Sequence, residues 1–371
     1  LSDLRLNTKF YESFRYRTAI GINLAIYKSQ AVKAYSNNKE RRMKMSRNAQ
    51  ASFTQMGSFG VNVFSQDELY SIHCATLDVL QHVGVRVNSK KAQEIFSAGG
   101  ATVDPKSEIV KIPPYVVEEA IHSAPRTILL ASRDPKKDYI LESKRVGFVN
   151  FGEGTNVIDP VTRKYRPSKK QDVADAAKMS DYLSEMDISY RAVVAQDCPG
   201  PAQALHNAQA IFPNTSKHFF IGADGVRNAR KLIDMAAAVA GGRDQLKERP
   251  LISFNVCPTS LLKLIPECTD VVIEAAQAGI PVNIISMAMA GATSPVTLAG
   301  TLVTHNAEVL STIVLSQLTS KGAPCIYGSS TTIMDMRKTT APVGSPELGM
   351  ISASVAKLAQ FYNLPSFVAG G

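Results

Sequence analysis

The sequence contains no tryptophan, and only five of its 371 residues are cysteine. Cys74, Cys198, Cys257, Cys268 and Cys325 are scattered and odd in number, with no CxxC pair and no close Cys/His cluster, so neither a disulfide framework nor a zinc-finger type of site is expected. Cysteine used this sparingly fits a reduced, cytoplasmic protein. No apolar run approaches the roughly 20 residues that a membrane helix needs, and no membrane partner is expected. HExxH, GxSxG and P-loop strings are missing, which removes the usual signatures of metalloprotease, esterase and ATPase. The SxxK string at Ser354 to Lys357 falls inside a helical pattern without SDN and KTG companions, and is read as chance.

What is present is 45% hydrophobic and 20% charged residues, the profile of a globular chain of enzyme size. The net charge of +9 is unevenly placed. Residues 1–44 hold ten Lys and Arg against three Asp and Glu; the remaining 31 and 29 leave residues 45–371 at only +2. No basic domain is left to track a phosphate backbone, so no nucleic-acid partner is expected. The first 44 residues begin with Leu1, mix aromatic and basic residues without helical or alternating order, and precede Met45. They are read as a spurious or disordered extension, with translation starting at Met45.

From Met45 the pattern is regular. Ser65 and Glu68 form a capping box opening a helix with Leu69, Ile72, Leu77 and Leu80 on its apolar stripe and Gly84 at its end. A short helix from Ser89, strands near Ile109 to Ile112 and Ile128 to Ala131, and a helix opened by Pro113 and Pro114 complete a small α+β cap region over 45–144. After residue 145 apolar runs at Val146 to Phe151, Ile188 to Ala195, His218 to Ile221, Leu251 to Val256, Val282 to Met287, Cys325 to Tyr327 and Ser366 to Ala369 alternate with helical patterns. The helices are expected from Ser168, Pro201, Val226, Leu264, Thr297 and Ser345 onward. Continuous apolar strands alternating with helices predict a parallel sheet under helices.

The first strand ends in GEGTNV, Gly152 to Val157, and not in GxGxxG, so a dinucleotide fold is not expected. Small and polar residues at successive strand ends instead predict a (β/α)8 barrel of the TIM type, with its chemistry at the C-terminal ends of the strands. Residues 145–371 supply seven of its strands. A barrel needs eight, and a buried parallel strand with nothing beyond it makes a poor terminus, so the barrel is expected to be truncated after the seventh strand.

SMAMAGATSPVTLAGTLVTHNAEVL, Ser286 to Leu310, and YGSSTTIMDMRKTTAPVGSPELGMISASVAKLAQFYNLPSFVAGG, Tyr327 to Gly371, closely resemble the trimethylamine corrinoid methyltransferase family. NTSKHF and NVCPTS are similar to its earlier strands, and the resemblance runs from about Met45 to the last residue. In pyrrolysine-containing members the residue after this motif is pyrrolysine, encoded by an in-frame amber codon, so the resemblance implies truncation at that position.

The implied activity is methyl transfer from trimethylamine to the Co(I) corrinoid of a separate partner corrinoid protein, releasing dimethylamine, as in methylamine-dependent methanogenesis. The cofactor then belongs to the partner, no metal is expected on this chain, and the full-length protein is expected to be a homo-oligomer. Two alternatives stay open: a pyrrolysine-free homologue acting on glycine betaine or another quaternary amine, and a catalytically dead truncated product.

Strand ends nominate the site. Glu347 of SPELG is the candidate acid for the leaving amine, although a first-turn carboxylate favoured by the helix dipole would look the same. Glu153, between Gly152 and Gly154, and His218 on strand three complete the candidate catalytic set. Ser329, Ser330 and Thr331 after strand six, Met287 and Met289 on strand five, and His305 in a helical stretch are the candidate substrate contacts; for each, ordinary packing or capping is the competing reading.

Overall fold

A computed structural model describes residues 63–143 and 145–369. The expected N-terminal extension lies outside the described residues. The described residues open with α1 (Gln66–Asp78), β1 (Val85–Val87), α2 (Lys90–Ala98), β2 (Thr102–Asp104), β3 (Ile109–Lys111), α3 (Pro114–Ser123) and the hairpin strands β4 (Thr127–Leu130) and β5 (Tyr139–Glu142). Ser65 caps α1 through the predicted box: its hydroxyl accepts from Glu68 N, and Glu68 Oε2 accepts from Ser65 N at 2.8 Å.

A second hairpin, β6 (Asn156–Ile158) and β7 (Tyr165–Pro167), leads into α4 (Lys170–Tyr182), β8 (Ser189–Tyr190), α5 (Gln203–Ile211), β9 (Phe219–Gly222), α6 (Val226–Ala240), α7 (Arg243–Glu248) and β10 (Ile252–Val256). Then come β11 (Lys263–Leu264), α8 (Pro266–Ala278), β12 (Val282–Ser286), β13 (Met289–Ala290), α9 (Leu298–Thr319), β14 (Cys325–Ser329), β15 (Thr332–Ile333), α10 (Pro346–Phe361) and β16 (Ser366–Val368).

The principal sheet has the order β16-β14-β12-β10-β9-β8, and every pairing in it is parallel. Order along the sheet follows order along the chain, so the strands curl as one half-barrel with helices outside. The predicted first strand, Val146 to Phe151, is corrected by the structure: it and the residues after it meet those flanking β8 through isolated parallel bridges, Val149 to Ile188 and Gly154 to Val193, and not through a regular ladder. The cause is Asn150. Its Oδ1 accepts from Tyr190 N at 2.8 Å and its Nδ2 donates to Tyr190 O at 3.0 Å, so a side chain takes the bonds that a strand backbone would make.

Two apolar clusters follow from strand alternation. One lies between the sheet and its helices, drawing on Ile221, Phe254, Ile284 and Tyr327 from the strands and Val271, Val309 and Val355 from the helices. The other fills the concave side, where Ile188, Phe220 and Ile326 meet Ile128, Leu130, Tyr139 and Leu141 of the β4–β5 hairpin. That hairpin is tied to the N-terminal ends of the strands. Ala131 N donates to Pro250 O, Arg133 N donates to Ser216 O, and Arg249 Nη2 reaches Asp138 Oδ2 at 2.8 Å. It therefore plugs one end of the half-barrel, leaving the C-terminal ends as the open face.

The short strand β11, after β10, pairs in parallel with β1, which joins the order β11-β1-β3-β2, so one sheet spans the N-terminal layer and the barrel. Helix α9 corrects the expectation that no run is long and apolar enough to cross a membrane. It passes that test by length and composition, but 78% of its apolar window is buried inside the protein. Thr304 and Thr312 turn their hydroxyls back on the helix, to Gly300 O and Glu308 O, which lets polar residues sit in a core helix.

Candidate functional site

A cavity of 510 Å³ opens at the C-terminal ends of the strands. Its walls come from the segment after β5 (Val149 to Glu153), from Tyr190, Cys257, Ile285, Met287 and Ser330 at or beyond successive strand ends, and from Phe367 to Ala369. Phe151, Tyr190 and Phe367 give it an aromatic face. Tyr190 and Phe367 meet edge to face with ring centres 6.4 Å apart, and both pack on Phe220 beneath. Burial, with the charge of the Glu153 carboxylate adding to it, pushes the Tyr190 phenol far above its ordinary range, so it stands as a neutral hydroxyl. Desolvation and the Glu153 carboxylate likewise push the Cys257 thiol up to about 11, so it is no thiolate at neutral pH.

Glu153 is the single charged residue in the described lining, which includes no Lys, Arg or His. Behind it lies Arg191, 2% exposed, whose Nη2 is 2.6 Å from Glu153 Oε2 and whose Nη1 is 3.5 Å from Asp224 Oδ2. Gly222 N donates to Glu153 Oε1 at 3.3 Å. One layer deeper, two residues before Cys257 and Ile285 on the same strand faces, Asn283 Nδ2 donates to Asn255 Oδ1 at 3.0 Å. Asn283 Oδ1 has no hydrogen-bond partner among the described residues, while the Asn255 side chain also faces the Tyr190 hydroxyl. Gly328, on the next strand, makes room for this pair: a Cβ there would lie 2.5 Å from Asn283 Oδ1.

Three of the predicted site residues, Glu153, Met287 and Ser330, come together in this lining. The others lie elsewhere. His218 precedes the first residue of β9 and so sits at the plugged end, which corrects its expected place near the mouth. Its Nδ1 faces Pro250 O at 3.0 Å and Ala131 O at 3.2 Å, its Nε2 faces Ser253 Oγ at 2.8 Å, and burial lowers its pKa to about 4.

His305 is enclosed in α9, 2.9 Å from Thr331 Oγ1 and edge-on to Tyr327, and burial pulls it down to about 3. Ser329 and Thr331 are buried and bonded to each other, Thr331 N to Ser329 Oγ at 3.2 Å, while Met289 pairs with Thr332 in the small β13–β15 ladder. Glu347 occupies the first turn of α10, capped by Ser345, outside the cavity lining. Sequence reasoning passed over Arg191, Tyr190, Phe367 and the two asparagines. The available signal was ISYRAVV, Ile188 to Val194, where an arginine interrupts an apolar strand and must find a carboxylate.

A parallel half-barrel with a partly aromatic cavity at its strand ends, holding one braced carboxylate, has its candidate site where barrel folds carry theirs. The family model described as trimethylamine methyltransferase (MTTB) matches residues 33–371, and the chain belongs to that family.

It is 60% identical over 322 residues to trimethylamine methyltransferase MttB of Desulfitobacterium hafniense, covering 87% of this chain and 65% of that protein. It is 46% identical over 328 residues to MttB of Methanosarcina thermophila, covering 87% of this chain and 68% of that protein. A glycine betaine methyltransferase of Desulfitobacterium hafniense is more distant, 32% identical over 311 residues, covering 84% and 64%. The chain thus spans about two-thirds of the length of these relatives. The crystal structure of the Methanosarcina barkeri monomethylamine methyltransferase MtmB shares the fold, with a TM-score of 0.50 at 14% identity over 81% of this chain and 65% of that one.

Proposed function

We propose that this chain belongs to an enzyme that transfers a methyl group from trimethylamine to the Co(I) corrinoid of a partner corrinoid protein, releasing dimethylamine. The observation that supports this most is the make-up of the cavity: Phe151, Tyr190, Phe367 and Met287 offer surface for methyl groups, and Glu153 is the one charge among them. A volume of 510 Å³ takes a small amine with room to spare but not a corrinoid as well, which supports an acceptor presented from outside by its carrier.

Presented at the mouth by its carrier, the Co(I) corrinoid would serve as the methyl acceptor and would supply the electron pair for the new bond to carbon. The N–CH3 bond breaks and its pair stays on the departing amine. Glu153 holds the nitrogen of the amine in its charged form, the aromatic walls pack against the methyl groups, and the neutral Tyr190 hydroxyl is a donor beside them.

The lining speaks against glycine betaine. That substrate carries a carboxylate, and among the described residues the cavity presents no cation to it; Arg191 lies behind Glu153. Turnover assays on the full protein with its corrinoid partner check both points. Dimethylamine should form from trimethylamine with loss of the Co(I) absorbance, glycine betaine should be inert, and Glu153→Gln should lower kcat/KM by roughly tenfold or more, in line with loss of a charge-assisted contact. Preferential turnover of glycine betaine would overturn the proposal.

A further inference from the structure

We propose that Arg191 and Asp224 are positioning residues which act through Glu153 to make the cavity a site for a methylated ammonium cation. The inference rests on the amine reading above and adds how selectivity for the cation is built. Arg191 divides its guanidinium between two carboxylates: Nη2 to Glu153 at 2.6 Å, and Nη1 to Asp224 at 3.5 Å and to Gly222 O at 3.4 Å. Glu153 in turn accepts from Arg191 on one oxygen and from Gly222 N on the other. Both donors approach from the strand side, so the carboxylate is fixed with its remaining lone pairs toward the cavity it lines.

Gly222 is part of the device. A Cβ at that position would lie 3.0 Å from Arg191 Nη2 and 3.2 Å from Glu153 Oε1, tighter than the ion pair can accept without moving.

Charge accounting gives Asp224 its role. Arg191 and Glu153 alone would form a neutral pair with little hold on a cation. Asp224, outside the cavity lining and 47% exposed, brings the cluster to a formal −1 and shares the guanidinium charge with Glu153. Because Arg191 is 2% exposed, it is out of reach of an anionic substrate group. The cavity therefore meets solvent with one oriented negative charge and an aromatic wall, a pairing suited to a quaternary or protonated tertiary amine.

Calorimetric titration of the full protein tests this, with tetramethylammonium as a permanently charged probe and tert-butanol as a neutral one of related shape. Asp224→Asn is expected to weaken tetramethylammonium binding by about two- to fivefold, the range of one partly exposed ion pair, with tert-butanol binding and the melting temperature unchanged. Asp224→Glu should restore the affinity. Gly222→Ala, which displaces the pair, should weaken the cation more than Asp224→Asn does.

Unchanged tetramethylammonium affinity in Asp224→Asn overturns the inference, as does equal weakening for both probes. The two readings fail separately. Cation binding that follows these variants in a protein without methyl transfer would sink only the proposed reaction, whereas transfer from trimethylamine indifferent to Asp224→Asn would sink only the positioning role.

Discussion

His218 shows how a single buried side chain writes itself into the stability of the molecule. Burial holds its pKa near 4 against an unperturbed value of about 6.5, so the folded protein carries a neutral ring where the unfolded chain carries a cation in weakly acidic solution. The unfolded state binds the extra proton between these two values. Stability from this residue is therefore complete above about pH 6.5 and is lost as pH falls toward 4.

Thermal melts from pH 7 to pH 4 should show a falling Tm whose slope is shallower in His218→Gln; equal slopes would contradict the account. His305, lowered to about 3, acts in the same direction, while Glu308, raised by burial, has the opposite sign, which is why the variant comparison and not the bare curve is the test.

At this scale Glu153 was legible, because glycines on both sides leave a carboxylate exposed at a strand end. Arg191 was not, since a charge inside an apolar run shows only that a partner exists and not which one. His218 was misplaced although it opens its run, His218 to Ile221, which puts it at the N-terminal end of a parallel strand and away from the C-terminal ends.

Among the elements, the segment Val146 to Phe151 forms a wall of the cavity without a regular strand ladder. Beside the backbone bonds from Asp187 N and Ile188 N to Phe148 O, the Asn150 side chain makes one bond to Tyr190 N and one to Tyr190 O. Asn150→Ala should cost about 1–3 kcal/mol through those bonds and loosen the segment, measurable as a lower denaturant midpoint and faster amide exchange around Tyr190. Exchange unchanged at Tyr190 and Arg191 would show that the backbone alone holds this edge.

Helix α9 supports the opposite wall. Glu308 accepts from Ser286 Oγ at 2.7 Å, Ser260 Oγ at 2.9 Å and Leu262 N at 3.0 Å, tying the chain after β10 to the end of β12. Most elements could be read from hydrophobic period and caps. Pro346 at the start of α10 and Thr297 before α9 mark their helices within a residue. The small ladders β6–β7 and β13–β15 were unreadable, since two or three residues carry no period, and the Asn150 bracket looks like any loop asparagine.

For the molecule as a whole, alternation of strands and helices foretold a parallel barrel sheet with its chemistry at the C-terminal ends, and the half-barrel with its cavity there follows that plan. What alternation did not foretell is how the ends differ: the β4–β5 hairpin fills the N-terminal end with Leu130 and Tyr139, leaving depth only at the other. Pairing of β11 with β1 was equally hidden, because a two-residue strand inside a loop is set by tertiary contact alone. Family membership was legible because it rests on long blocks of sequence, whereas the binding geometry depends on side chains brought together from distant strands.

The central claim is that the strand-end cavity is an amine site oriented by Glu153. The most direct measurement is a crystal structure of the full protein with trimethylammonium bound. The account predicts the nitrogen beside the Glu153 carboxylate, with its methyl groups against Tyr190, Phe367 and Met287. An amine found elsewhere, with this cavity empty at saturating concentration, would contradict it.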